Sequence, residues 1–209
     1  MAYFPMFVDL KDELCIVIGG GMVACRKIRV LLEFEAEVVV VAPEFCECVM
    51  VLKDKITLIN KFYEATDIKD AFLVIAATDD IQLNTRISRE CKGLRIPVNV
   101  VDKKEECSFI FPAYVKKGAI TVGITSSGKS PVISKRIKSR IKEVIPDYME
   151  ELVEILGDIR DEVQFLFEQE AERKLVYKQL VELGCLKQGK LTKTDIQDVI
   201  KRVKENQEI

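Results

Sequence analysis

Residues 14–33, LCIVIGGGMVACRKIRVLLE, decide the fold. Leu14–Ile18 is an apolar run of strand length, stopped by Gly19, Gly20 and Gly21. From Val23 to Glu33 the apolar residues at 23, 24, 28, 31 and 32 recur at helical spacing, with Arg26, Lys27 and Arg29 between them. Strand, glycine turn and helix follow in that order. Gly19, Gly21 and Ala24 satisfy G-x-G-x-x-G/A in the context that gives this pattern meaning. Gly19 permits the tight turn, Gly21 lets backbone approach a pyrophosphate, and Ala24 lets the helix pack closely on the strand, so that the helix N-terminus faces the phosphates. A purely structural strand-to-helix turn would also use such a triplet.

The pattern continues outward. Val38–Ala42 is a second apolar run ended by Pro43, and Ile56–Ile59, Phe72–Ala76 and Pro97–Val101 are further strand candidates, with a helix over about 84–92 before the last. Strands alternating with helices predict an α/β fold, a Rossmann-like parallel sheet wound on both faces. After Asp102 the pattern changes: Ser108–Phe111 and Ala119–Ile124 read as extended, and Ser130–Ile145 reads as a helix with Ser130 as N-cap and Pro131 in its first position. Beyond Pro146 the chain reads as helical, with a break over 184–189 and a last helix opened by Thr192 with Asp195 three residues on. The apolar stripe at 152, 155, 156, 159 and 163 needs a surface to pack on, and a partner subunit would supply one. The expected division is a dinucleotide-binding domain over 1–112, a small α+β dimerisation and active-site region over 113–145, and a helical region over 146–209.

Composition narrows the chemistry. The 209 residues are 48% hydrophobic, and 34 acidic residues nearly balance 32 basic ones, so overall charge points to no nucleic-acid or membrane partner. The opening MAYFPMFVDL lacks a basic leader region, and no window reaches the apolar length of a membrane span, so a cytoplasmic location is expected. Seven cysteines at 15, 25, 46, 48, 91, 107 and 185 have no repeated pair spacing and fit a reducing compartment. Cys46 and Cys48 lack a second pair, and no metal is expected. With no histidine in the chain, a Ser-His-Asp or Cys-His nucleophile is excluded, and proton transfer falls to Asp, Glu, Lys, Tyr or Cys.

Within those bounds, Asp102 ends the run PVNVVD at 97–102, just past the C-terminal edge of a predicted parallel strand, where open α/β sheets bind ligands. It is the general-base candidate, and an ordinary loop aspartate is the plainer reading. Partial burial would help it act as a base. Thr78, Asp79 and Asp80 follow the Phe72–Ala76 strand; an aspartate there would cap the next helix, and Thr78 would line the cofactor cleft. The second strand ends Ala42-Pro43-Glu44 with neither a well-placed acid for an adenine ribose nor an arginine for a 2′-phosphate, which favours NAD over NADP. Thr125–Pro131 places Ser126, Gly128 and Lys129 at a helix N-terminus ahead of Lys135, Arg136, Lys138, Arg140 and Lys142. That suits an anionic group, and a solvated polar face would look the same.

Seven stretches together resemble one family. FPMFVDL, GGGMVACRK at 19–27, VVVVAPE at 38–44, AATDDIQLN at 76–84, PVNVVD at 97–102, CSFIFPA at 107–113 and TSSGKSP at 125–131 are similar to the precorrin-2 dehydrogenase module at the N-terminus of siroheme synthases. The resemblance covers most of residues 4–145 and implies NAD-dependent oxidation of precorrin-2, a polycarboxylate tetrapyrrole, to sirohydrochlorin in a homodimer. It places NAD contacts at Met22 and Val23 and at Pro43 and Glu44, the catalytic aspartate at Asp102, and an active-site serine at Ser126, with Lys129 and its neighbours meeting substrate carboxylates. Met22 departs from the polar residue often found there. Two alternatives stand beside this reading: a bifunctional enzyme that also inserts Fe²⁺ into sirohydrochlorin, and a non-catalytic NAD-sensing domain, which would leave Asp102 and the 125–131 loop without a role.

Overall fold

The computed structural model describes residues 3–205. The chain forms two compact units, Met1–Phe111 and Pro112–Ile209. In the first, strand β1 (Leu14–Ile18) leads through the glycine turn into helix α1 (Met22–Glu33). β2 (Glu37–Ala42), a single helical turn α2 (Glu47–Met50), β3 (Thr57–Asn60), β4 (Leu73–Ala76), α3 (Ile81–Leu94) and β5 (Val98–Val100) follow. The five strands are parallel in the order β3-β2-β1-β4-β5. The order reverses between β1 and β4, so the ligand crevice of such a sheet opens at the C-terminal ends of those two strands.

Strand pleating explains why the sheet is covered on both faces. Cys15 and Val17 of β1, with Val38, Val40, Leu73 and Ile75, pack on Ala24, Cys25, Ile28 and Leu31 of α1. Ile16 and Ile18, with Val41, Val74, Ala76, Val98 and Val100, pack on Ile87 and Cys91 of α3. Successive side chains point to opposite faces, so strands covered on both read as unbroken apolar runs. Full burial of Ile28 or Leu31 contributes about 1.5–3 kcal/mol each.

The second unit opens with a hairpin of β6 (Ala113–Lys117) and β7 (Ile120–Ile124), antiparallel with Lys117 opposite Ile120. α4 (Pro131–Val144) follows, and then α5 (Tyr148–Asp158), α6 (Arg160–Leu166), α7 (Glu170–Leu186) and α8 (Lys193–Glu205). Thr192 and Asp195 bond reciprocally at the start of α8, Asp195 accepting from the Thr192 N–H at 2.8 Å and Thr192 Oγ1 from the Asp195 N–H at 3.2 Å. Among the described residues, no helix is long and apolar enough to cross a membrane.

Three expectations need correction. Ser108–Phe111 is no strand. Ser108 bonds Val98 through its N–H at 2.8 Å and its hydroxyl at 2.7 Å, and Asn99 Nδ2 donates to the Phe109 carbonyl at 3.1 Å, so side chains replace a regular ladder along the β5 edge. The hairpin's first strand is instead Ala113–Lys117, whose sequence AYVKK carries no clean alternation. The break expected over 184–189 begins only after Leu186, because Gly184 is buried in α7, where a Cβ would lie 2.4 Å from Leu152 Cδ1. The stripe at 152–163 finds its surface within the chain: Val163 is fully buried against Phe167, Val176, Leu180 and the α8 residues Val199 and Ile200, with Ile155, Leu156 and Ile159 packed alongside.

Candidate functional site

The glycine turn is shaped by contacts distant in sequence. Gly19 has φ +121°, and a Cβ there would sit 2.3 Å from the Ala77 carbonyl oxygen; at Gly20 a Cβ would sit 2.0 Å from the Glu44 carbonyl oxygen. The middle glycine, free to vary in the motif, is therefore as constrained as the first. Gly21 has open space where its Cβ would be. It starts α1, which has no side-chain cap and no acidic residue in its first turn. α3, by contrast, is capped by Asp80, whose Oδ1 accepts from the Gln82 and Leu83 N–H groups at 2.8 and 3.0 Å. A helix end that leaves its first N–H groups to an outside partner, behind a bare glycine face, fits a pyrophosphate by charge and by space.

Around this turn lie most of the cofactor-binding candidates. Met22 is 63% exposed and Val23 half-buried at the first turn of α1, at the end of β1. Pro43 and Glu44 are exposed beyond the end of β2. The Pro43 carbonyl accepts from Asn60 Nδ2 at 2.8 Å. The nearby Lys61 ammonium is engaged by Glu64 and Asp67, both at 2.8 Å. Thr78, past β4, is gripped by Asn84: its N–H and hydroxyl donate to Asn84 Oδ1 at 3.2 and 2.7 Å, and Asn84 Nδ2 returns a bond to its carbonyl at 2.8 Å. Asn84 is buried, and nothing in the sequence marks it beyond its place on a helix.

Asp102 stands just past β5, beside β4, on the edge of the sheet that carries the glycine turn. Its φ is +59°, a left-handed conformation that aspartate tolerates better than most residues. The side chain is exposed, without the partial burial that would help it act as a base. Its loop is fixed from below. The Val101 N–H donates to the Ala76 carbonyl at 3.0 Å, and the Cys107 thiol accepts from the Val100 N–H at 3.1 Å and reaches the Lys103 carbonyl at 3.3 Å. Burial pushes the Cys107 thiol up, so it remains protonated and able to make these bonds.

In the second unit, Ser126 and Lys129 lie in the turn before α4. Ser126 Oγ accepts from the Ser130 N–H at 3.0 Å and donates to the Ser130 carbonyl at 2.9 Å, while Lys129 is exposed. Ser130 accepts from the Ile133 N–H at 3.3 Å, so this helix end is already capped. The Ser126 hydroxyl holds the loop in shape, leaving Lys129 as the group free to reach outward.

Cys46 and Cys48 face each other with Sγ atoms 3.1 Å apart, and the Cys48 thiol points at Met22 Sδ, 3.4 Å away. Burial would raise the Cys46 thiol, but bonds from Cys48 and from backbone N–H groups outweigh it and hold the thiol below its ordinary value. Burial pushes Cys15 and Cys91 up to about 12. Iodoacetamide at neutral pH is expected to label Cys46 at least about tenfold faster than Cys15 or Cys91. Peptide mass spectrometry over a time course reads the order, and equal rates would refute it.

A family model described as "Putative NAD(P)-binding" matches residues 6–113, more than half of the chain and all of the parallel sheet. The chain belongs to this NAD(P)-binding family. It is also 38% identical over 176 residues, 83% of the chain, to a siroheme synthase of Ruthia magnifica, and 39% identical over 188 residues, 87% of the chain, to one of Nitrosospira multiformis. It spans 37% and 40% of those two proteins' lengths. The solved structure of "SirC, precorrin-2 dehydrogenase" has the same fold, with a TM-score of 0.69 at 21% identity, covering 97% of this chain and 100% of that one.

Proposed function

We propose that this chain oxidises precorrin-2 to sirohydrochlorin with NAD as the acceptor, acting as a homodimer. The observation that carries the reading is the open glycine turn and uncapped α1 at the switch point of the sheet, with an aspartate at the end of β5 on the same edge. The siroheme synthase relatives and the precorrin-2 dehydrogenase that shares the fold support the choice of substrate.

The oxidation removes two hydrogens from the macrocycle, one as hydride and one as a proton. Bound NAD supplies the hydride acceptor. The α1 N-terminus holds the pyrophosphate, and Gly21 leaves room for it. Thr78, locked by Asn84, lines the crevice beside β4. Asp102 takes the proton on a carboxylate oxygen and, being exposed, passes it to water. Lys129 meets a substrate carboxylate, with Ser126 holding the loop that presents it. Exposed Val132, Ile133, Ile137 and Val144 on α4 support the pairing of two copies through the second unit.

NAD is preferred to NADP. A 2′-phosphate needs a cation beyond β2, and Lys61, the basic residue bonded to that strand end, is already paired with two carboxylates. Calorimetric titration is expected to give NADP a dissociation constant at least about tenfold above that of NAD; equal affinities would show that Lys61 releases its partners.

The deciding assay mixes purified protein with enzymatically made precorrin-2 under anaerobic conditions and follows NADH absorbance and the tetrapyrrole spectrum after NAD is added. NAD-dependent turnover supports the reading. NAD binding without turnover overturns it and favours the sensing domain. Adding Fe²⁺ or Co²⁺ in a parallel arm reads metal insertion.

A further inference from the structure

A cavity of about 470 Å³ opens on the outer face of α3, lined by Ile81, Gln82, Thr85, Arg86, Arg89 and Glu90, and closed on one side by Lys103. Lys103 directly follows Asp102 in the chain. In a parallel sheet the helix after β4 begins at the C-terminal ends of the strands. The cavity therefore flanks the same edge that bears the glycine turn and Asp102, on the β4-β5 side, away from the β2-β3 half that receives an adenine nucleoside.

Its charge is unbalanced. Glu90 accepts from Arg86 Nε at 2.8 Å and from the Tyr63 hydroxyl at 2.5 Å. Burial alone would raise the Glu90 carboxyl, but these two bonds outweigh it and keep the group ionised below its ordinary range. One carboxylate thus neutralises one guanidinium, and Arg89 and Lys103 remain. The Lys103 ammonium donates to Thr85 Oγ1 at 3.0 Å, and Arg89 is four residues beyond Thr85 on the same helix face. Thr85, which anchors the ammonium, and Arg89 are about one helical turn apart on the backbone, roughly 5.4 Å along the axis, and both line the cavity. An ammonium anchored by a hydroxyl and a guanidinium from the next turn form a pincer for a single carboxylate, the guanidinium offering its planar fork and the ammonium a point charge.

We propose that this cleft on α3 receives a carboxylate side chain of the tetrapyrrole substrate, with Arg89 and Lys103 as its binding residues. The proposal rests on the reading of the chain as a precorrin-2 dehydrogenase. It gives the substrate an anchor in the first unit, adjoining the proton acceptor, and that anchor fixes the face and rotation in which the macrocycle enters. The cleft is distinct from the α1 turn that holds the cofactor, so its loss acts on one ligand and not the other.

The test is steady-state kinetics on Arg89→Ala, Lys103→Ala and the double variant, with precorrin-2 and NAD varied separately. Each single change is expected to raise KM for precorrin-2 by about fivefold to tenfold, with Arg89→Lys recovering much of the loss, because exposed charge-assisted bonds contribute on that scale. KM for NAD stays at the parent value, and the Arg89 variants keep the parent melting midpoint because that side chain is exposed. An unchanged KM for precorrin-2 in the double variant overturns the proposal. Should the parent protein itself give no turnover, the functional reading falls. An absorbance titration with sirohydrochlorin then decides the cleft: weaker binding by the double variant upholds it, and equal binding overturns it.

Discussion

Asp102→Asn is expected to lower the turnover number for precorrin-2 by about 100- to 10,000-fold, the range that a positioned acid or base contributes, while leaving NAD affinity unchanged. Asparagine is the informative replacement. Asp102 has φ +59°, and asparagine accepts a left-handed backbone as readily as aspartate does. The side chain is exposed, so the exchange removes a proton acceptor without opening a cavity or orphaning a buried partner. Alanine would add backbone strain of about 1–2 kcal/mol and blur the result. Stopped-flow or steady-state NADH absorbance measures the loss, and calorimetry measures NAD binding. Turnover at the parent rate would remove Asp102 from the chemistry. Loss of turnover with NAD still bound would exclude the sensing domain, for which this residue has no use.

What the sequence discloses, and what it hides, follows from how far apart the interacting residues lie. β1, the glycine turn and α1 are contiguous, and their apolar periods are strong because the strand is buried on both faces and the helix on one. The same locality exposes the Asp80 cap of α3 and the Ser130 cap of α4. The constraint on Gly20 is hidden because the carbonyl that forbids its side chain belongs to Glu44, beyond the next strand. Gly184 misleads for the same reason: a glycine near a helix end suggests a stop, and only the packed α5–α7 pair shows that it makes room for Leu152. No pattern in the sequence singles out Arg86 and Arg89, and they line a cleft only because Lys103, from beyond β5, is brought over α3. The Ser108–Phe111 segment looks like a strand because it has the composition of one. It lies along β5, but Ser108, Asn99 and Cys107 side chains take the bonds a ladder would have made.

Alanine placed at Gly20 and at Gly21 should separate folding from binding. At position 20 the new Cβ would fall 2.0 Å from the Glu44 carbonyl oxygen, a backbone atom that can yield only if the β2–α2 connection moves. That connection is also tied to the turn by the Cys46 N–H bond to the Gly20 carbonyl at 2.9 Å, so both sides of the clash resist displacement. Gly20→Ala is expected to cost about 1–3 kcal/mol, lowering the melting midpoint by roughly 3–10 °C, and to weaken NAD because the turn is deformed. At position 21 the backbone has φ −86° and nothing lies within 4 Å of the added methyl, so the protein should melt within about 1–2 °C of the parent. The methyl would stand on the glycine face left bare for the pyrophosphate, and NAD affinity should fall by at least about tenfold. Melting curves with and without saturating NAD read both effects in one experiment. A Gly21→Ala protein that is stabilised by NAD as strongly as the parent would mean that the pyrophosphate does not cross this face. The uncapped N-terminus of α1 would then need another partner.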